Sequence, residues 1–193
     1  MPTLGKTFSY TNVGKKPIKS ITVDLYVFKC NFNHKYIIEV EHHEDDIYIV
    51  KFFKKSHTNS RNRYSLLNKK HFLKKNKTTG ARNFLMVLNT IIKLILKIYE
   101  INPMASFGFI GAPTMDELDI DKNESNINED GTVAKTKRYN VYGLYVKRYF
   151  NPSKFEHIEL ESSSGYLIKN PRNLKLTTPK VESFFENYIT EYC

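Results

Sequence analysis

The chain predicts one α/β domain of the α+β kind, a mixed, mainly antiparallel sheet with a central buried helix packed on it. Three observations carry that expectation. Apolar residues alternate with a period of two through the N-terminal third, an almost entirely apolar stretch covers 84–98, and two short β-rich runs flank a Ser-rich turn near the C-terminus. At 193 residues the chain is long enough to bury a core without disulfides or metals.

The elements come in order. Ile21, Val23, Leu25 and Val27 share one face of a first strand, Tyr36, Ile38 and Val40 one face of a second, and Ile47, Ile49, Lys51 and Phe53 one face of a third. Asn31–His34 and His42–Asp46 supply the polar turns of an antiparallel meander. A Lys-rich segment, 55–77, comes next, in which Tyr64, Leu66, Leu67 and Phe72 fit either a short helix or an anchored loop. The helix at 84–98 leaves only Asn89, Lys93, Lys97 and Glu100 as a wet stripe, so it lies across a sheet and is covered on most sides. Asn102 and Pro103 end it, and 105–110 reads as a strand. An acidic stretch with almost no large apolar residues, 112–134, is expected as a mobile surface loop. Tyr142, Tyr145, Val146, Tyr149 and Phe150 then recur at helical spacing within 135–150. Two strands, 155–161 and 165–169, surround Ser162–Ser164, and 179–193 reads as a docked terminal helix with Val181, Phe184, Phe185, Tyr188 and Ile189 on one face.

Charge is unevenly distributed. The formal net charge is +10; from Lys51 to Tyr99 there are 13 basic residues and no acid, whereas Asp116–Asp130 carries seven acids. Such a surface attracts polyanions, so nucleic acid or an acidic protein is an expected partner. Lysine outnumbers arginine 24 to 6, which is also what an AT-rich coding sequence favours. The two cysteines, Cys30 and Cys193, have no metal-type or redox spacing and read as free thiols in a reducing compartment. No apolar leader succeeds the start, and the most apolar stretch is too short and too charged to span a bilayer. A soluble cytoplasmic protein without membrane contact is expected, with no metal cofactor.

The run Thr78, Thr79, Gly80, Ala81, Arg82 reads as a basic, donor-rich turn opening the buried helix. Unpaired N–H groups and the positive end of the helix dipole would both favour a phosphate there. Over 46–169 the elements run strand, Gly turn, buried helix, strand, Tyr-rich helix and hairpin, an order that resembles the acyl-CoA-binding half of the GNAT-type N-acetyltransferase superfamily. In that family the turn has the pattern Arg/Gln-x-x-Gly-x-Gly/Ala and cradles the pyrophosphate of coenzyme A. Here Lys77, Thr78, Thr79, Gly80, Ala81 and Arg82 correspond, keeping the middle glycine and changing both ends. The family's next helix often carries Asn-x-x-Ala-x-x-Leu-Tyr and then Gly-Phe. Val141, Leu144, Tyr145, Tyr149 and Phe150 occupy similar places, with Arg138 where Asn would stand and Tyr149 in place of Gly.

The resemblance implies acetyl-CoA, or another acyl-CoA or related phosphorylated ligand, at 77–82. It also implies a tyrosine that protonates the leaving thiolate: Tyr145 by the motif, or Tyr142 one turn earlier. The same tyrosines also suit packing against the sheet with their hydroxyls at its rim. For a general base, Glu39 and Glu41 alternate on the strand face opposite Tyr36, Ile38 and Val40, and Glu39 is the nominee. His42, His43, Glu44, Asp45 and Asp46 are metal-ligand types, but consecutive residues of a turn diverge and close no site alone. Tyr64, His71 and Phe72 among the lysines would suit stacking on single-stranded bases.

Overall fold

The structure is a computed structural model that describes residues 3–67, 77–114, 116–118, 126–129 and 132–192. It is mixed α/β, with seven strands and three α-helices among the described residues. Two compact units interleave along the sequence: Pro2–His43 with Ile49–Asn102, and Glu44–Tyr48 with Pro103–Cys193.

The first unit contains β1 (Tyr10–Ile18), β2 (Ile21–Lys29), β3 (Lys35–His42), most of β4 (Ile47–Lys54) and α1 (Lys77–Ile101). Its strands neighbour one another in chain order, and the β1–β2 and β2–β3 ladders are antiparallel. The meander is therefore as expected, with one strand more. β1 escapes the period-of-two reading because it is an edge strand with almost no buried face. Its register slips between Asn12 and Gly14, where Gly14 has φ of 126°, and Lys15, Lys16 and Pro17 come directly after. A bulge, lysines and a proline are what keeps an open edge from pairing with a second sheet.

The two faces of this sheet differ in chemistry. One carries Phe28, Tyr36, Ile38 and Val40, all buried. Phe8 stacks on Phe28 and Phe28 on Tyr36, with centroids 5.7 and 5.1 Å apart, while the Phe8 N–H donates to Thr90 Oγ1 of α1 at 2.9 Å. The N-terminal segment thus ties α1 to the apolar face. Val87, Leu88, Ile91, Ile92, Leu94 and Ile95 of α1 are buried, and Lys93, Lys97 and Glu100 are exposed. Asn89 departs from the expected wet stripe: it is buried and donates to the Lys6 carbonyl at 3.0 Å.

The helix also begins earlier than its apolar run. The sequence places a turn at 78–82, but Lys77 to Arg82 form the opening turns of α1, and Gly80 is a buried helical residue. Thr, Ala, Arg and Lys are tolerated in a helix, and one glycine weakens it by only about 1 kcal/mol, so helix propagation extends through the run.

The second unit holds β5 (Ser106–Ile110), α2 (Lys137–Tyr149), β6 (Glu156–Leu160), β7 (Gly165–Lys169) and α3 (Thr178–Tyr192). β7 lies between β5 and β6 and is antiparallel to both. Phe107, Phe150, Tyr166, Leu167, Phe185 and Tyr188 fill its core. Thr136 caps α2, accepting from the Tyr139 N–H and donating to the Gly111 carbonyl. Of the acidic stretch expected as a mobile loop, residues 115, 119–125 and 130–131 lie outside the described residues; the others make specific contacts. Glu117 is buried, accepting from Thr114 N and Oγ1 at 2.8 and 2.7 Å and from the Lys137 N–H at 2.7 Å. It therefore caps α2 as well. Ile127 bridges Val133, and Asn128 donates to the Ser162 carbonyl at 2.9 Å. Near the other end of the unit, Asp45 is held in a left-handed conformation by Asn173, which donates to its carbonyl, and by Lys180.

Candidate functional site

Three clusters bear on function. The first lies on the face of the four-strand unit that carries Glu39 and Glu41, beside their cross-strand partners Leu25 and Val23. Glu39 and Glu41 are two apart on β3 and so share a face, and each is only 3 % exposed. The Lys16 ammonium of β1 donates to Glu39 Oε1 at 2.8 Å, the Tyr64 hydroxyl to Oε2 at 2.6 Å, and the Arg63 guanidinium lies 3.7 Å from Oε2. Glu41 pairs with Lys51 of β4 at 2.7 Å and with His43 at 3.3 Å. Arg63 also donates to the Tyr64 hydroxyl at 2.9 Å and lies over the rings of Phe53 and Tyr64. Burial, then the Glu39 charge, raise the Tyr64 phenol well above its ordinary value.

Glu39 is thus no solvated strand carboxylate. Its two oxygens face an ammonium, a phenol and a guanidinium, which leaves little room for a substrate group to approach. Sequence reasoning singles out Glu39 and misses its partners. Lys51, grouped by parity with Ile47, Ile49 and Phe53, meets Glu41 only through the strand register, and Tyr64 and Arg63 reach the site only through the fold of 55–67. The three-residue turns Lys55–His57 and Ser65–Leu67 are 3-10, so the segment is an anchored loop.

The second cluster is the opening of α1. Its first turn contains no acid, and Arg82 is exposed. The N–H groups of a first helical turn have no partner within the helix, so the backbone from Lys77 offers donors and the positive dipole end together. The side chains of Lys77, Thr78, Thr79 and Ala81, like His71 and Phe72, lie outside the described residues.

The third cluster lies in the second unit. Tyr142 and Tyr145 are both half-buried on α2. Tyr142 meets the Phe109 ring edge-on at 5.4 Å, and Tyr145 packs on Tyr149 at 5.4 Å. Burial pushes each phenol up to about 12, with Tyr149 adding to the effect at Tyr145. Arg138 is buried and donates to the Ala112 carbonyl at 3.3 Å. Glu39 belongs to the other unit.

A polar chain that the sequence did not announce runs beside these tyrosines. His157 donates from Nε2 to the Phe150 carbonyl at 2.6 Å. A carbonyl can only accept, so Nδ1 is bare and accepts from the Tyr166 hydroxyl. Tyr139 donates to Glu159 at 3.1 Å, and Lys147 pairs with the same carboxylate. Tyr166 is fully buried, which makes this chain a packing device for the β6–β7 hairpin. Among the described residues no group of three or more His, Cys, Asp or Glu is placed to hold a metal, and no helix is long and apolar enough to cross a membrane. Comparison with protein-family models, with curated proteins and with solved structures gives no match.

Proposed function

We propose that this chain is a GNAT-like α/β protein that binds an acyl-CoA, or a related phosphorylated ligand, at the opening of α1. The observation that carries the reading is the order β4, α1, β5, α2 and the β6–β7 hairpin, the order on which the family resemblance rests. Phosphate oxygens would take hydrogen bonds from the first-turn N–H groups at Lys77–Gly80, with exposed Arg82 supplying a mobile positive charge.

Binding is favoured over catalysis. In acetyl transfer, Tyr145 or Tyr142 would give its proton to the departing thiolate, and a phenol held near 12 keeps that proton available at neutral pH. Glu39, committed to Lys16, Tyr64 and Arg63, is poorly suited to the partner role of base. The β1–β2 connection is the two-residue turn Lys19–Ser20, so no helix between these strands shapes an acceptor cleft.

The test is thermal unfolding with acetyl-CoA and with coenzyme A. A ligand at about 100 times its dissociation constant stabilises the folded state by roughly 2.7 kcal/mol. At the roughly 2–4 °C per kcal/mol expected for a chain of this size, the melting temperature should rise by about 5–10 °C. No rise at millimolar ligand refutes the reading.

A further inference from the structure

We propose that the end of the first unit formed by the β2–β3 turn and the C-terminal end of β4 is a nucleic-acid-binding surface, engaging the phosphate backbone through Lys29, Lys35 and Lys55. Lys29 and Lys35 are direct cross-strand partners at the last rung of the β2–β3 ladder. Both are exposed, and directly opposed residues share a face with Cα atoms about 4.5–5.5 Å apart. Like charges so placed repel and weaken the pairing. The pair concentrates two exposed positive charges at one end of the sheet.

Two further cations join it. The turn Lys55–His57 packs against β3, which brings exposed Lys55 to the same end of the sheet. Lys54 lies close enough to His34, in the β2–β3 turn, to help lower the imidazole's proton affinity, although burial is the larger cause.

The unit's own acids do not neutralise this end. Of its four, Asp24, Glu39 and Glu41 are paired with Lys15, Lys16 and Lys51, in that order, and Glu100 lies in the last turn of α1. Glu39, the nearest along β3, is four residues from Lys35, or about 13 Å at strand rise. That exceeds the Debye length of about 8 Å at physiological salt. Among the described residues, no carboxylate pairs with Lys29, Lys35 or Lys55.

Charge density selects the partner. An extended acidic peptide presents same-face carboxylates only every 6.5–7 Å or so. Duplex nucleic acid carries a charge about every 1.7 Å of its axis and releases condensed counterions on binding, which suits amines crowded onto adjacent strands. Lysines make point contacts with phosphate and read no base edge, so the expected binding is independent of sequence. Nothing here depends on the acyl-CoA reading, and Arg82 is left out of the variants so that either can fail alone.

The experiment is fluorescence anisotropy of the full chain with a labelled DNA duplex of about 20 base pairs across about 50–200 mM salt. Three phosphate contacts predict a slope of log affinity against log salt near −2.7, and K29A/K35A should flatten it by about 1.8 and weaken low-salt binding at least tenfold. K154A, an exposed lysine of the other unit, should bind like the parent. K35E should also weaken binding while raising the melting temperature, because it turns a repelling pair into an attracting one; this separates lost contact from lost folding. Unchanged binding by K29A/K35A, equal weakening by K154A, or equally tight binding of polyglutamate would each overturn the proposal, the last by assigning the surface to an acidic protein.

Discussion

Replacing Tyr64 by phenylalanine removes one hydroxyl from the buried ion cluster and leaves the ring in place. That hydroxyl donates to Glu39 at 2.6 Å, and the carboxylate receiving it is 3 % exposed. A hydrogen bond to a buried charged group is worth about 1.5–3 kcal/mol, because the oxygen it leaves has no water to turn to. The ring keeps its edge-on contact with Phe53 at 5.5 Å and its place under Arg63 and Lys51, so the apolar part of the energy survives. Y64F should therefore destabilise the protein by about 2 kcal/mol. Urea unfolding followed by circular dichroism measures this directly. In a double-mutant cycle with E39Q the two changes should be less than additive, with a coupling above about 1 kcal/mol. A loss below about 0.5 kcal/mol for Y64F, or strict additivity with E39Q, would show that the cluster does not hold the 55–67 segment on the sheet.

The second unit yields two more expected outcomes. His157 is held neutral: burial, opposed by the Phe150 carbonyl, with Lys147 disfavouring and Glu159 favouring the cation, keeps its proton affinity below the ordinary 6.5. The unfolded chain thus binds the extra proton first, so this contribution to stability is complete above pH 6.5 and is lost as pH falls from there toward the folded value. H157Q should flatten the dependence of the unfolding midpoint on pH below 6.5, and parallel curves for the two proteins would refute the assignment. At Gly111 an added Cβ would sit 2.5 Å from the Tyr139 nitrogen and 2.8 Å from its Cα, both backbone atoms of α2. G111A should cost about 2–3 kcal/mol in chemical denaturation, and a change under about 0.5 kcal/mol would mean that α2 shifts freely.

Where burial tracks local periodicity, the fold is legible in the sequence. Tyr36, Ile38 and Val40 alternate and are buried; Val181, Phe185 and Tyr188 recur at helical spacing and are buried; Gly165–Lys169 is a strand at its expected bounds. β1 is invisible there because an exposed edge strand has no apolar face to display. The start of α1 is misplaced because Gly80 and two threonines look like a turn when read locally, and only the cooperativity of the long helix carries them in. The site is legible residue by residue but not in its pairings. Glu39 can be placed on a face by parity, whereas the contacts with Lys16 and Tyr64 join residues 23 and 25 positions away, a distance no local pattern encodes. The His157–Tyr166 bond is of the same kind, being set by the β6–β7 register.

Phosphate groups that settle at the opening of α1 must perturb the amides they bind, and NMR of the 15N-labelled protein titrated with coenzyme A observes those amides one by one. Saturable shifts concentrated on the backbone amides of Lys77–Arg82 are the predicted result. Spectra that do not move there at millimolar ligand, or shifts confined to other elements, would contradict it.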